Sequence, residues 1–325
     1  MDAIERLSDY KSIARYIRWI PQAVARRHFP IHPIIGILED PRPWAQTYLS
    51  EIDSDLAKLN GAANLDHVAA RMENQEQFFD ERAVLRAAAD YKGKGWQIDF
   101  ILEATTKRPD FQAQPPKAAS IPCVFEVKHI AGKEAVDSLF QDIRAITSPY
   151  AVDGYVGYLQ LANQARHIAL EVGAEVEKLA RTSAMPTADK PFRKKILDCE
   201  FKIYLKQSGK VGPTIVGLHW SKRETFQQTA SRLSRILDGA REQLSSYIPD
   251  AVNIVLLDVD RATLHDDEVH DVLYSTQLPG LFTLHQYECV TGVKFVSHVI
   301  PPTTKLFSNQ NNPHVKNGFL NTLSL

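Results

Sequence analysis

Three short stretches between residues 96 and 130 constrain the fold of this chain most strongly. They read WQIDFILE (96–103), DFQAQ (110–114) and PCVFEVKHI (122–130), and only short, proline-containing connections separate them. Aromatic and β-branched residues are enriched in strands, and short connections join strands that run antiparallel. The sequence therefore predicts a three-stranded antiparallel meander.

Helical patterns flank this meander on both sides. Residues 1 to about 60 and about 65 to 91 read as helical, with Phe78, Glu81, Leu85 and Ala88 on one face and the glycines of KGKG as a stop. After the meander we expect helices at about 134–147, from about 160, at 223–248 and at about 266–275. Strands are expected at 252–260 and in GVKFVSHVI, with a hairpin around SGKVGP.

Two acids and a lysine occur where this pattern predicts buried or half-buried strand. Because alternate residues of a strand face the same way, Glu126 and Lys128 share a face, and a hairpin from the preceding strand brings Asp110 beside Glu126. Two carboxylates so placed form a hard oxygen site suited to Mg²⁺ or Mn²⁺. A lysine beside them is suited to orient an attacking water or to stabilise charge on a phosphate.

The residues Pro109-Asp110 followed by Glu126-Val127-Lys128 resemble the motif of the PD-(D/E)XK nuclease superfamily. The resemblance implies an α/β fold with a restriction-endonuclease-like core, in which helices flank a mixed central sheet. It also implies Mg²⁺- or Mn²⁺-dependent hydrolysis of phosphodiester bonds, in DNA rather than RNA. In this family an acid on the first helix often joins the metal site, and Glu81 matches that position best, ahead of Asp80 and Glu76.

The resemblance extends to residues outside the motif. Some exonuclease-like branches carry a Gln-x-x-x-Tyr element on a later helix, and Gln243 and Tyr247 supply that spacing here as substrate-positioning candidates. Such nucleases often pair subunits, which makes a homodimer an expectation, and a partner protein of a defence or mobile-element system is compatible with the class.

Three alternatives remain open from the residues alone. Asp99 in WQIDF rivals Asp110 as the metal acid. Glu126 and Lys128 could simply pair at a strand end. A nuclease-like protein that has lost activity and only binds nucleic acid or another protein would carry the same pattern.

Two basic segments are candidates for contact with nucleic acid. The first combines arginines with the aromatic residues Tyr16, Trp19 and Phe29, and the second, KPFRKK, is predicted to be a loop. The candidates are Arg15, Arg18, Arg26, Arg27, Lys190, Arg193, Lys194 and Lys195. His129 is expected to pack on the opposite face from Lys128, and HDDEVHD (265–271) to begin a helix rather than bind metal.

Composition limits the remaining classes. The net charge of -1 excludes a globally basic nucleic-acid-binding protein, and the three cysteines offer neither a disulfide framework nor zinc spacing. With a charged N-terminus and no long apolar run, we expect a cytoplasmic protein without membrane contact. We expect an N-terminal helical region (1–65), a nuclease-like domain (66–300) with an insertion at about 150–222, and a C-terminal tail (301–325).

Overall fold

The computed structural model describes most of the chain. The described ranges are 3–26, 32–40, 43–102, 108–116, 121–130, 139–140, 142–144, 150–182, 185–197, 199–206, 216–222, 226–245, 247–248, 251–259, 278–297 and 303–316. The motif HDDEVHD and the helix expected at about 266–275 lie outside these residues. Of the helix expected at 134–147, residues 139–140 and 142–144 are described, and they are helical.

The N-terminal part is helical, as predicted. In the described part of this region, seven helices precede the first strand: α1 (Ala3–Leu7), α2 (Lys11–Tyr16), α3 (Ile20–Arg26), α4 (Pro33–Glu39), α5 (Pro43–Lys58), α6 (Leu65–Arg71) and α7 (Phe78–Gly93). Gly95 adopts a φ of +84°, which a residue with a side chain rarely does, and this turn leads from α7 into the sheet.

Among the described residues, ten strands follow, together with four helices besides the helical residues 139–140 and 142–144. The strands are β1 (Gln97–Phe100), β2 (Phe111–Gln114), β3 (Cys123–Ile130), β4 (Tyr150–Gly157), β5 (Phe192–Ile196), β6 (Cys199–Leu205), β7 (Val216–Lys222), β8 (Val252–Val259), β9 (Gly292–Ser297) and β10 (Thr303–Ser308). The helices are α8 (Tyr158–Arg181), α9 (Phe226–Ser245), α10 (Leu278–Phe282) and α11 (Pro313–Lys316), with a 3₁₀ turn at His285–Tyr287.

The larger sheet has six strands in the order β1-β2-β3-β8-β9-β10. Strands β1, β2 and β3 pair antiparallel, which confirms the predicted meander, and β8 and β9 then continue parallel to β3. Strand β10 closes this edge antiparallel to β9, so part of the expected C-terminal tail belongs to the sheet.

Helices cover both faces of the meander. On one face, Phe111 stacks on Phe125 with ring centres 4.8 Å apart, and Tyr91 of α7 lies 4.6 Å from Phe125. On the other face, Val124 packs in a buried cluster with Leu233 and Leu237 of α9. The chain is therefore an α/β protein whose mixed sheet lies between helices.

The smaller sheet has the order β5-β6-β4-β7 and corrects two expectations. The expected hairpin around SGKVGP is wrong, because β6 and β7 flank β4, one antiparallel and the other parallel to it. The predicted basic loop KPFRKK is also wrong, because β5 includes most of it and pairs with β6. In the folded strand, partly buried and exposed residues alternate along FRKKI, although its three consecutive basic residues hide this alternation in the sequence.

The chain divides into two compact units, each with its own core. The first comprises residues 1–21, 38–130 and 226–325, and the second comprises residues 22–37 and 131–225. The insertion expected at 150–222 thus corresponds to a larger segment, and the helical region expected at 1–65 contributes to both units. Among the described helices, none has the length and apolar character needed to cross a membrane.

Candidate functional site

Asp110 and Glu126 lie side by side at the start of β2 and the middle of β3. The register pairs Phe111 with Phe125, so Asp110, one residue earlier, falls opposite Glu126. The backbone N–H of Asp110 donates to the Phe125 carbonyl at 3.0 Å, and its Oδ2 accepts from the Val127 N–H at 2.7 Å. The hairpin therefore brings the two acids together as the sequence predicted.

Glu126 is a buried carboxylate with a partly buried lysine as its partner and one oxygen atom that accepts no hydrogen bond. Only 1% of its surface is exposed, and its Oε1 forms an ion pair with the ammonium of Lys128. Its Oε2 has no hydrogen-bond partner within the described structure. A buried carboxylate oxygen without a partner is costly, so this position favours a cation.

Lys128 is held from a second direction by α9. Its ammonium donates to Gln243 Oε1 at 2.9 Å, and Gln243 Nε2 donates to the Arg108 carbonyl at 3.0 Å. Gln243 therefore connects the helix, the lysine and the segment that leads to Asp110. Tyr247 differs: it follows the end of α9 and packs, partly buried, against the apolar cluster of that helix.

Arg71 is a site residue that the sequence analysis missed. It lies at the end of α6, and its Nη2 contacts Glu81 Oε2 of α7 at 2.8 Å. Glu81 is buried, as expected from its place on the apolar face, whereas Asp80 and Glu76 are exposed. No local motif marks Arg71, because its role depends on how α6 packs beside α7.

The acids influence one another electrostatically. Burial, opposed by Arg71 and reinforced by the charge of Asp110, raises the pKa of Glu81 to about 7. Burial raises the pKa of Asp110 to about 6, although the Val127 N–H and Lys128 oppose that rise. The pKa of Glu126 is raised well above its usual value by burial and then by Asp110. The surroundings of Glu81, Asp110 and Glu126 thus do not fully stabilise the negative charge of these three acids.

The donor set fits a magnesium ion held by two carboxylates. Mg²⁺ keeps several waters and commonly takes only one or two protein carboxylates, which Asp110 and Glu126 supply. Among the described residues, no group of three His, Cys, Asp or Glu side chains is arranged to hold a metal ion. The expected third ligand, Glu81, is therefore not part of such a group, and Arg71 already neutralises it.

Asp99 and His129 make contacts elsewhere and do not join Asp110, Glu126 and Lys128. Asp99 lies opposite Gln112 in the β1–β2 register, with amide nitrogens of Gln97 and Gln112 at 3.5 Å. His129 stacks on Phe79 of α7, with ring centres 6.4 Å apart. His129 thus faces away from Lys128, as strand alternation predicted.

The N-terminal basic segment is only partly available for binding. Arg15 and Arg18 are exposed, and Arg15 lies over the ring of Tyr16 at 5.1 Å. Trp19 is 8% exposed and its Nε1 donates to the Ala69 carbonyl, so the expected stacking role for Trp19 is wrong. Arg27, Phe29 and the side chain of Arg26 lie outside the described residues.

The second basic segment belongs to the second unit. Lys194 pairs with Glu175 of α8 at 2.5 Å, while Arg193 and Lys195 are exposed on the other face of β5. Lys190 precedes the strand and is exposed. Three of the four basic candidates therefore remain open to solvent, and Lys194 is held by an acid.

Comparison with known proteins adds no further constraint. No protein-family model, curated protein or solved structure matches this chain. The chemistry of the site is therefore the basis for a functional assignment.

Proposed function

We propose that this protein is a Mg²⁺-dependent nuclease with a restriction-endonuclease-like core of the PD-(D/E)XK type. The observation that carries the proposal is the meeting of Asp110, Glu126 and Lys128 on adjacent strands, with Gln243 fixing the lysine. The order α7-β1-β2-β3-α9-β8, with β8 parallel to β3, is the order expected of such a core and supports the proposal.

Asp110 and Glu126 would hold the metal ion. When bound, Mg²⁺ would act as a Lewis acid on the phosphate and lower the pKa of a bound water. Without the metal ion, Lys128 and Arg71 offset part of the negative charge of Asp110 and Glu126, which allows these two carboxyl groups to lie side by side.

Lys128 would orient the attacking water and stabilise charge on the scissile phosphate. An ammonium has three N–H donors, and Glu126 and Gln243 engage two of them. The third remains for water or a phosphate oxygen, and 29% exposure of the lysine side chain leaves it accessible. Gln243 is a positioning residue, because it acts through Lys128.

The substrate is proposed to be DNA, because the motif resembles that of restriction-type nucleases. With a net charge of -1, the protein lacks a global attraction for nucleic acid. Exposed Arg15 and Arg18 are the best-described candidates for local phosphate contacts.

Cleavage assays with matched variants test this proposal. Linear DNA, circular DNA and single-stranded RNA are incubated with wild-type protein in Mg²⁺, Mn²⁺ or EDTA. We expect metal-dependent DNA cleavage, reduced about 10²- to 10⁴-fold by Glu126→Gln or Lys128→Met, since positioned charged groups contribute on that scale.

Asp99→Asn serves as the matched control, because Asp99 is an acid on the same sheet outside the proposed cluster. Its cleavage rate should stay near that of wild type. Full activity in Glu126→Gln and Lys128→Met would contradict the proposal. Absence of cleavage on every substrate, with binding retained, would favour an inactive nuclease-like binding protein instead.

A further inference from the structure

The smaller sheet of the second unit has one face that carries polar and aromatic side chains. The buried cluster of this unit joins α8 to Val152, Phe201 and Ile203, which point into the core. Because alternate residues of a strand point to opposite sides, the residues between them lie on the other face of the sheet, here called the polar face. Its members are Arg193, Lys195, Glu200, Lys202, Tyr204, Asp153, Tyr155, Gly217 and His219.

The strand register arranges most of the polar face in two rows. The first row contains Arg193, Lys202, Asp153 and Gly217, and the second contains Lys195, Glu200, Tyr155 and His219. Neighbouring strands lie about 4.7–4.9 Å apart, so one extended ligand can reach all the members of a row. The second row therefore sets a tyrosine and a histidine side by side, with charged residues next to them.

Tyr155 and His219 form an exposed pair of rings. Their ring centres lie 5.5 Å apart, with the ring planes inclined by 35°. Tyr155 is 43% exposed, and His219 is exposed as well, so neither ring is a core residue. Lys202 Nζ lies 5.9 Å from the centre of the Tyr155 ring, at the outer limit of a cation–π contact. The pair thus offers planar surface on which a further aromatic ring can stack.

Cations exceed acids on the polar face by one charge, with His219 counted as neutral. Arg193, Lys195 and Lys202 stand against Asp153 and Glu200. Asp153 accepts a hydrogen bond from the Tyr204 hydroxyl at 3.0 Å, whereas Arg193, Lys195 and Glu200 form no ion pair within the described residues. The attraction for phosphate is therefore modest and Glu200 opposes it, so stacking must supply most of the affinity for a nucleic acid.

We propose that the polar face binds single-stranded nucleic acid, with bases stacked on Tyr155 and His219 and phosphates beside Arg193 and Lys195. Every base has a flat aromatic face, so this kind of binding tolerates different sequences. In a duplex the base faces are already stacked on one another, so the exposed rings select a single strand. The proposal does not depend on the proposed nuclease activity, because the two sites share no residue.

Fluorescence anisotropy of the full-length protein tests the proposal in EDTA, where metal-dependent cleavage does not occur. The probes are a labelled oligothymidylate and a labelled oligouridylate of about 12 nucleotides, and a DNA duplex of about the same length. We expect at least one single strand to bind saturably and at least about tenfold more tightly than the duplex. The tighter of the two single strands identifies the polymer.

Variants of Tyr155 assign the binding to the polar face. Tyr155→Ala should weaken single-strand binding about tenfold, since it removes the ring on which a base stacks. Tyr155→Phe keeps the ring and should bind within about twofold of wild type. Leu170→Ala is the matched control, because Leu170 is 44% exposed on α8 of the same unit, outside the polar face, and its binding should equal that of wild type.

Two charge variants test the position of the phosphates. Glu200→Gln removes an opposing acid and should tighten binding about twofold or more, an effect that a misfolded protein would not produce. Arg193→Ala should reduce the salt slope of the logarithm of the binding constant by about 0.7, the loss of one phosphate contact on a single strand.

Four outcomes would overturn the proposal. They are binding of neither single strand, binding of the duplex as tightly as of the single strands, binding by Tyr155→Ala that equals wild type, and binding by Tyr155→Phe that is as weak as by Tyr155→Ala.

Discussion

Glu126 illustrates how one residue can work against the stability of the strand that contains it. Its neighbours in β3, Phe125 and Val127, are buried apolar side chains, and Glu126 is as buried as they are. Because burial raises the pKa of this carboxyl, its ionised form is less favourable in the folded state than in water. A lysine and a metal ion would offset that cost, and a purely structural strand would have no need for the acid.

Lys294 shows the same principle with the opposite charge and gives a pH prediction. It is 2% exposed on β9. Asp90 and Tyr91 of α7 and Lys94, which follows that helix, face it, and its strand neighbours Leu256 and Leu306 are apolar. Burial, reinforced by Lys94 and opposed by Asp90, lowers the pKa of Lys294 from 10.5 to about 8.

The sign of the effect on stability follows from proton binding. Between about pH 8 and 10.5 the unfolded chain keeps the Lys294 proton while the folded chain has released it, so the free energy of unfolding rises with pH. The shift corresponds to on the order of 3 kcal/mol in total. Urea unfolding of wild type and Lys294→Met at pH 7, 8, 9 and 10 measures this rise in the free energy of unfolding. The variant should lack this rise, and identical pH profiles would contradict the prediction.

Some residues of the candidate site can be predicted from the sequence, and others cannot. Asp110, Glu126 and Lys128 follow from strand alternation and a short hairpin, both of which are local rules. Arg71 does not, since its role depends on a carboxylate of another helix, Glu81. Local patterns carry no information about which helices will pack together.

At the scale of elements, α9 does the most to position the site. It presents Leu233, Leu237 and Leu244 to the buried cluster, all 4% exposed or less, and it places Gln243 against Lys128. The regular apolar spacing of this helix predicted its position, and the observed Phe226–Ser245 lies within the expected range. Strong amphipathic periodicity is the most reliable local signal.

Leu237→Ala should therefore destabilise the first unit substantially. Removing a fully buried leucine loses transfer free energy and leaves a cavity, together worth about 2–5 kcal/mol. Urea unfolding followed by circular dichroism measures the change. Arg235→Ala, at an exposed position of the same helix, should change stability by less than about 0.5 kcal/mol. Equal effects of the two variants would show that α9 is not anchored as described.

The strands that were mispredicted are those whose pairing partners lie far away in the sequence. The segments that form β6 and β7 read as a hairpin because both are apolar and a glycine-containing connection joins them, yet β4 lies between them. Residues 303–308 carry too weak a pattern to predict a strand, and β10 pairs only at the edge beside β9. Sheet order is a non-local property, so turn signals alone mispredicted it.

At the scale of the whole molecule, two buried cysteines report separately on the two units. Cys123 lies in the first unit and Cys199 in the second, and both are fully buried, whereas Cys289 is partly exposed. Burial raises the pKa of the Cys123 thiol to about 12, which suppresses its reactivity further. Thiol labelling followed by mass spectrometry should therefore modify Cys289 first in the native protein.

Gly154→Ala should accelerate the labelling of Cys199. An added Cβ would lie 2.6 Å from a ring carbon of Phe201, which is buried in the core of the second unit. Overpacking of this kind costs about 1–3 kcal/mol, which raises the population of open states about fivefold or more. Leu237→Ala is the counterpart that should accelerate labelling of Cys123. Labelling of Cys199 at the wild-type rate in Gly154→Ala would contradict the prediction.

The parallel pairing of β3 with β8 affects when the candidate site can form during synthesis on the ribosome. The bond between Lys128 and Gln243 joins residues 115 positions apart, with most of the second unit encoded between them. At translation rates of about 5–20 residues per second, on the order of ten seconds separate the synthesis of Lys128 from that of Gln243. A nascent chain therefore contains Asp110, Glu126 and Lys128 before it contains the helix that positions Lys128, so their shared geometry forms only after Gln243 has been synthesised.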